Sequence, residues 1–241
     1  MLRRIAIPGL FITATDTDVG KTVVAGAIAN WFARRGARVG VFKPVATGCV
    51  HRREGLVSED AEFLAHCADA AAPLDVICPQ RYAEPLAPSV AAARAGRPVN
   101  WEAIQQALDE IAAQSDVLIV EGVGGLMAPM DERHTVRDVI GWLGLPAVVV
   151  ARPGLGTLNH TLLTLAALRE AKLAIAGVVV NRYPADSASV AEETNLPTIE
   201  KWGRVPLLTV VPDEKFTPPV LSPGIVAAIE RVDWEQFARG G

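Results

Sequence analysis

Apolar residues along this chain follow two alternating periods. Uninterrupted apolar runs at residues 10–14, 116–121, 147–151 and 174–181 read as strands buried on both faces. Between them, apolar positions recur at helical spacing, as in Val23, Val24, Ala27, Ile28, Trp31 and Phe32 before a stop at Gly36. The same period predicts helices through Ala61, Leu64 and Ala68, over 101–114, over 136–143, and over 158–172 with Leu158, Leu162 and Leu165 on the apolar face. Residues 38–43 read as a short strand leading into a turn at 44–48, and the polar stretch 51–60 reads as a loop. Within the Pro- and Ala-rich region 73–98, residues 76–78 read as a short strand, and the tail beyond Pro212 ends in one helix over about 225–237. Alternating strands and helices predict an α/β fold: a doubly wound, mainly parallel sheet with helices on both faces, as one domain over residues 1–241. Ligands of such a sheet gather at the C-terminal ends of its strands.

The first strand–helix junction carries the clearest chemistry. Residues 14–22 (ATDTDVGKT) join the two elements and read as a phosphate-binding loop. In such loops backbone N–H groups wrap an anion at a helix start, a Lys reaches the β/γ-phosphates and a Ser/Thr hydroxyl ligates Mg²⁺. Lys21 and Thr22 fill the last two roles. The usual pattern G-x-x-x-x-G-K-S/T would place Gly at 15, where this chain has Thr15. Gly-Lys-Thr alone is common by chance, but the strand before it and the helix after it favour phosphate binding.

Composition narrows the alternatives. The residues are 50% hydrophobic and 21% charged, and the mean hydropathy of +0.26 suits a sheet covered on both faces. Lys and Arg total 23 against 27 Asp and Glu, a formal charge of −4 that offers no basic footprint for nucleic acid. No apolar run reaches the roughly 18 residues of a membrane span, and the start (MLRRIAI) is interrupted by Pro8 and Gly9 too close to the loop for a removable leader. Cys49, Cys67 and Cys78 lack C-x-x-C spacing, so neither a disulfide framework nor a thiolate zinc site is expected, and a reducing cytoplasm fits best.

Polar residues close several predicted strands. Lys43 ends the strand beside the loop, Glu121 ends another just before a Gly-rich segment (GVGG, 122–125), Asn181 ends a third, and Asp60 stands at a loop–helix junction. Mg²⁺ on ATP keeps several waters and takes one or two carboxylates, which Asp60 and Glu121 can supply beside Thr22. Asp60 could equally cap the helix from Ala61, Lys43 could be a surface lysine, and Asn181 an ordinary strand-end residue.

As a set these residues resemble the dethiobiotin synthetases, over about residues 11–181. The loop TDTDVGKT is similar to that family's lengthened G-x5-G-K-T, with Ala14 in place of the first Gly; if that position needs positive φ, the Ala is strained. Residues 43–48 (KPVATG), 58–60 (SED), 83–88 (AEPLAP), 120–125 (VEGVGG) and 154–160 (GLGTLNH) match further family elements in order. The resemblance implies an ATP- and Mg²⁺-dependent ligase of biotin biosynthesis, joining CO₂ to 7,8-diaminopelargonate and closing the cyclic urea through a carbamate and its mixed phosphoric anhydride. It implies ATP contacts at Thr17, Asp18, Val19, Gly20, Lys21 and Thr22 and at Asp60, Glu121 and Asn181, the last on the adenine base. Mg²⁺ would sit on Thr22, Asp60 and Glu121. Catalysis would fall to Lys21, Thr22 and Lys43, and substrate contacts to Thr17, Lys43, Thr47, Gly124, Leu155, Gly156 and Asn159. The last three lie at a helix start whose N–H groups would meet the diamine's carboxylate across a homodimer interface.

Two rivals share the loop. Partitioning and division-site ATPases carry a signature Lys in K-G-G-x-G-K-T, where this chain has Asp16. ATP-dependent amidating enzymes of the cobyrinate type need a glutaminase module with a nucleophilic Cys, for which the sheet domain leaves no room. Neither accounts for KPVATG and GLGTLNH together.

Overall fold

The computed structural model describes residues 1–53 and 55–239. Glu54, inside the stretch read as a loop, lies outside them, as do residues 240–241. The chain runs β1 (Gly9–Ala14), α1 (Lys21–Ala33), β2 (Val39–Phe42), β3 (Val45–Thr47), β4 (Val50–Arg52), β5 (Gly55–Val57), α2 (Glu59–Ala68), α3 (Leu74–Ile77), β6 (Gln80–Tyr82) and α4 (Pro88–Arg94). It continues with α5 (Trp101–Ala113), β7 (Val117–Glu121), α6 (Val136–Leu143), β8 (Ala147–Ala151), α7 (Thr157–Glu170) and β9 (Ile175–Tyr183). The last elements are α8 (Val190–Gly203), β10 (Leu207–Pro212), α9 (Pro223–Glu230) and α10 (Trp234–Ala238).

Six strands form one parallel sheet in the order β10-β9-β8-β1-β7-β2. Leu10, Ile12, Leu118, Ile119, Val120, Val148, Val149 and Val150 are fully buried, as expected where helices cover both faces. Burial of such side chains contributes about 1.5–3 kcal/mol each, an upper estimate because the unfolded chain is itself partly compact. The order places the sheet's switch point at β1 and β7: the chain leaves β1 for β2 on one side and adds β8 on the other. The ends of β1 and β7 therefore border the crevice where ligands of open α/β sheets bind. Register does the rest. Phe42 lies opposite Val120, so the next residues along β2 and β7, Lys43 and Glu121, emerge side by side.

Several local expectations change. Residues 76–78 are not a strand; Leu74–Ile77 form a single helical turn opened by Pro73, whose fixed φ suits a helix start. The stretch 44–48 holds the short strand β3, paired with β6, and the stretch 51–60 folds partly into the antiparallel pair β4–β5. The final helix is two helices, because Asp233 caps a second start through the Glu235 N–H. On α7 the buried face is Thr157, Thr161, Thr164, Leu165 and Leu168, so Leu158 and Leu162 are only half-buried and the hydroxyls lie inward. Thr164 Oγ1 donates to His160 O at 2.8 Å, which satisfies one of those hydroxyls within the helix.

Candidate active site

The loop between β1 and α1 has its left-handed positions at Asp18 (φ 58°) and Gly20 (φ 88°). Ala14 is not among them: it closes β1 as an ordinary strand residue opposite Val150, so the condition under which it would be strained is not met. Gly20 is required both by its φ and by space, since a Cβ there would lie 2.0 Å from Asn181 Nδ2. Gly20 also caps α1, whose first residues Lys21 and Thr22 thus stand at a helix N-terminus with free N–H groups.

Three charged side chains gather around Thr22, with Lys21 beside them. Lys43 Nζ, 2% exposed as a residue, is 2.6 Å from Asp60 Oδ2 and 2.7 Å from Glu121 Oε1. Thr22 Oγ1 lies 2.9 Å from both Asp60 Oδ1 and Glu121 Oε1. Lys21, also buried, reaches back to the Asp16 carbonyl at 3.5 Å. Burial works against the charge of Lys43, yet Glu121 and Asp60 outweigh it and hold the ammonium protonated above the usual lysine range. Burial pulls Lys21 below that range, with Glu121 opposing. Burial would also raise Asp60, but Lys43 beside it brings the carboxyl below its ordinary value, whereas Glu121, deeper in the sheet, is raised by burial against the pull of Lys43. Lys43 is therefore no surface lysine. Nor is Asp60 a helix cap, because Ser58 Oγ accepts from Ala61 N at 3.2 Å and leaves Asp60 free to face the site.

A cavity of about 220 Å³ opens over this cluster, lined by Thr17, Asp18, Gly20, Lys21, Thr22, Lys43, Thr47, Asp60, Glu121, Val123 and Gly124. Ten of these residues were expected from sequence, and Val123 adds one from inside the VEGVGG run. Val19 turns inward and is 3% exposed, outside the lining. Asn181 sits behind the loop, its Nδ2 donating to Val19 O at 2.9 Å. Leu155, Gly156 and Asn159 do not line the cavity either; they lie exposed around the start of α7, where Leu155 is 92% exposed. Sequence reasoning missed Arg152, which pairs with Asp16 at 2.7 Å, and Arg182, which donates to Asp18 O. Nothing in spacing announces either, since both arrive from strands far along the chain.

The donor set around Thr22 is all oxygen, as a hard divalent cation requires. One hydroxyl proton cannot be donated to two carboxylates at once. Glu121 Oε2 is moreover buried without a hydrogen-bond partner. Both facts leave acceptor capacity that a cation on Thr22, Asp60 and Glu121 would satisfy.

A family model described as an AAA domain matches residues 8–219. The ATP-dependent dethiobiotin synthetase BioD of Thermodesulfovibrio yellowstonii is 39% identical over 211 residues, covering 85% of this chain and 88% of that protein. The protein of the same name from Bacillus cereus (strain G9842) is 43% identical over 205 residues, covering 85% and 83%. Among solved structures, a ParA family ATPase from Chlorobium tepidum superposes with a TM-score of 0.53 at 18% identity, covering 96% of this chain and 99% of that one. The cell division ATPase MinD of Pyrococcus furiosus gives 0.52 at 18% identity, covering 95% and 98%; at such identities the likeness is one of fold. With two curated relatives matched over most of their length, and with the loop and strand-end residues in place, the chain belongs to the dethiobiotin synthetase family.

Proposed function

We propose that this protein is a cytoplasmic, homodimeric, ATP-dependent dethiobiotin synthetase, acting on 7,8-diaminopelargonate and CO₂. The observation that carries this reading is the ammonium of Lys43, buried at a strand end beside the phosphate loop and gripped by two carboxylates. Phosphoryl transfer to a carbamate brings two anions together, and a fixed cation between them offsets their repulsion. A hydrolytic ATPase has no second anion to hold.

One amine of the diamine attacks CO₂ and loses a proton, giving a carbamate. A carbamate oxygen then takes the γ-phosphoryl group, releasing ADP. The second amine attacks the carbamate carbon, the C–O bond to phosphate breaks, and the cyclic urea forms with inorganic phosphate as leaving group. Residues 17–21 cradle the phosphates through backbone N–H groups, and Lys21 offsets charge on the β/γ oxygens. Lys43 holds the carbamate oxygen against the phosphoryl group, so that the reacting atoms are aligned rather than merely close. Thr17, Thr47 and the N–H groups at Gly124 position the diamine end. Thr22, Asp60 and Glu121 would hold Mg²⁺, which when bound neutralises charge on the phosphate oxygens. Asn181, one amide N–H of which is held by Val19 O, would meet the adenine base with the rest of its amide.

The start of α7 stands outside the chain's own cavity and is exposed, which supports its use by a second copy: Leu155, Gly156 and Asn159 would reach the partner's diamine carboxylate. A helix N-terminus contributes only about 0.3–2 kcal/mol, against about 8 for micromolar affinity, so other contacts supply most of the binding. Sedimentation at twice the chain mass is required; a monomer at assay concentrations overturns the shared site. No helix among the described residues is long and apolar enough to cross a membrane. The cysteines, all free and buried, support a reducing compartment. The test of activity is incubation with ATP, Mg²⁺, the diamine and ¹⁴C-bicarbonate. Diamine-dependent label in dethiobiotin is expected; ATP hydrolysis without it would contradict the reading.

A further inference from the structure

Two consecutive residues of β9 hold the phosphate loop from behind. Asn181 Nδ2 donates to Val19 O at 2.9 Å, and Arg182 Nη1 donates to Asp18 O at 3.0 Å. The Arg182 guanidinium also lies 3.6 Å from Asp18 Oδ1, its only acidic partner among the described residues. No residue of β9 lines the cavity on the loop's other side. In a trans peptide the C=O and the following N–H point in opposite directions. Fixing the Asp18 carbonyl toward β9 therefore turns the Val19 N–H away from β9, and fixing the Val19 carbonyl does the same for the Gly20 N–H. Two adjacent side chains thus set two adjacent donors.

Arg182 reaches the loop because β9 is bulged there. Val180 lies opposite Val210 and Tyr183 opposite Pro212, so β9 takes three steps where β10 takes two. Such bulges break the alternation of a strand and re-aim a side chain. The extra residue has a left-handed backbone, φ 58° at Arg182, a conformation uncommon for a residue with a Cβ. Asp18, facing it, has φ 58° as well. Asn181 and Arg182 can therefore both turn toward the loop, which a regular strand would forbid to neighbours.

We infer that Arg182 is a positioning residue for the nucleotide: its bond to the Asp18 carbonyl holds the phosphate loop in its anion-binding shape before ATP arrives. The inference rests on the ATP-dependent reading above, and it concerns nucleotide affinity, not the diamine. The test is direct binding of Mg·ATP by calorimetry, with steady-state kinetics, on the wild type, Arg182→Gly and Arg182→Lys. Glycine accepts φ 58° without cost, so Arg182→Gly removes the donor while the backbone relaxes, and its melting temperature should not fall. We expect its ATP dissociation constant and KM for ATP to rise about tenfold, equivalent to about 1.4 kcal/mol, with KM for the diamine within about twofold. Arg182→Lys, which keeps a cationic donor, should recover part of the loss. Wild-type ATP affinity in Arg182→Gly would overturn the inference, and so would equal rises in both KM values or no rescue by lysine. Because ATP binding is measured directly, a failure of the dethiobiotin reading would show separately, as absence of product from the wild type.

Discussion

Lys43 and Glu121 join stability and chemistry in one contact. Each is almost wholly buried, and the 2.7 Å between them makes both charges tolerable, with Asp60 a second partner for Lys43. Removing one partner strands the other, and Lys43→Met should cost about 3–5 kcal/mol of stability, read by urea unfolding. It should also lower kcat by about 10²–10³-fold, the effect of losing one preorganised electrostatic contact. Lys43→Met combined with Glu121→Gln should regain most of the stability and none of the activity. If the double variant stayed as unstable as the single one, the pair would not be the source of the loss. These two residues were legible in sequence because a polar residue ending an apolar run of a parallel sheet has few places to go. Ala14 was left open by sequence, because a residue count does not show which loop positions turn left-handed; they are Asp18 and Gly20.

At the scale of elements, the connection from β7 to α6 carries Val123 and Gly124 into the cavity and returns through a tight turn. Asp131 organises that turn. It accepts from the backbone N–H groups of Arg133 and His134 at 2.8 Å each and from the Trp101 indole at 2.6 Å, and its carboxylate lies against the His134 ring. Burial works against its charge, but these contacts, led by His134, hold the carboxyl down at about 2. Since an unfolded Asp titrates near about 3.9, the contribution is complete above that pH and is lost as the pH falls toward 2. Asp131→Asn is expected to cost about 1–2 kcal/mol at pH 7, with the difference from wild type shrinking between pH 4 and pH 2 in denaturant titrations. A difference that stayed constant over that range would show that Asp131 acts without its charge. The helix α6 that follows was readable to the residue from its apolar period. The helix α8 was not, because Pro197 lies within it, although the capping box of Ser189 and Glu192 marks its start. The short apolar run at 76–78 misled because three residues cannot distinguish a strand from one helical turn.

For the whole molecule, the pattern of buried runs foretold a parallel doubly wound sheet, and the switch point between β1 and β7 explains why one crevice collects the phosphate loop, Lys43 and Glu121. Strand order itself was not legible, nor was the sixth strand, because β10 alternates between buried and half-buried positions instead of running apolar throughout. The same uncertainty hid Arg182, whose position depends on a bulge between β9 and β10. Fold alone does not separate this chain from the ParA and MinD ATPases that superpose on it. The site carries the distinction: Asp16 pairs with Arg152 of its own chain, and the buried Lys43 is held by Asp60 and Glu121 beside the phosphate loop. The central claim is that this crevice moves a phosphoryl group onto a carbamate oxygen derived from CO₂. Its most direct test is a rapid-quench reaction with C¹⁸O₂, ATP and the diamine in unlabelled water, analysing the released phosphate by mass spectrometry before CO₂ exchanges with solvent. One ¹⁸O per phosphate, formed in step with dethiobiotin, is the predicted result; unlabelled phosphate accompanying dethiobiotin would contradict it.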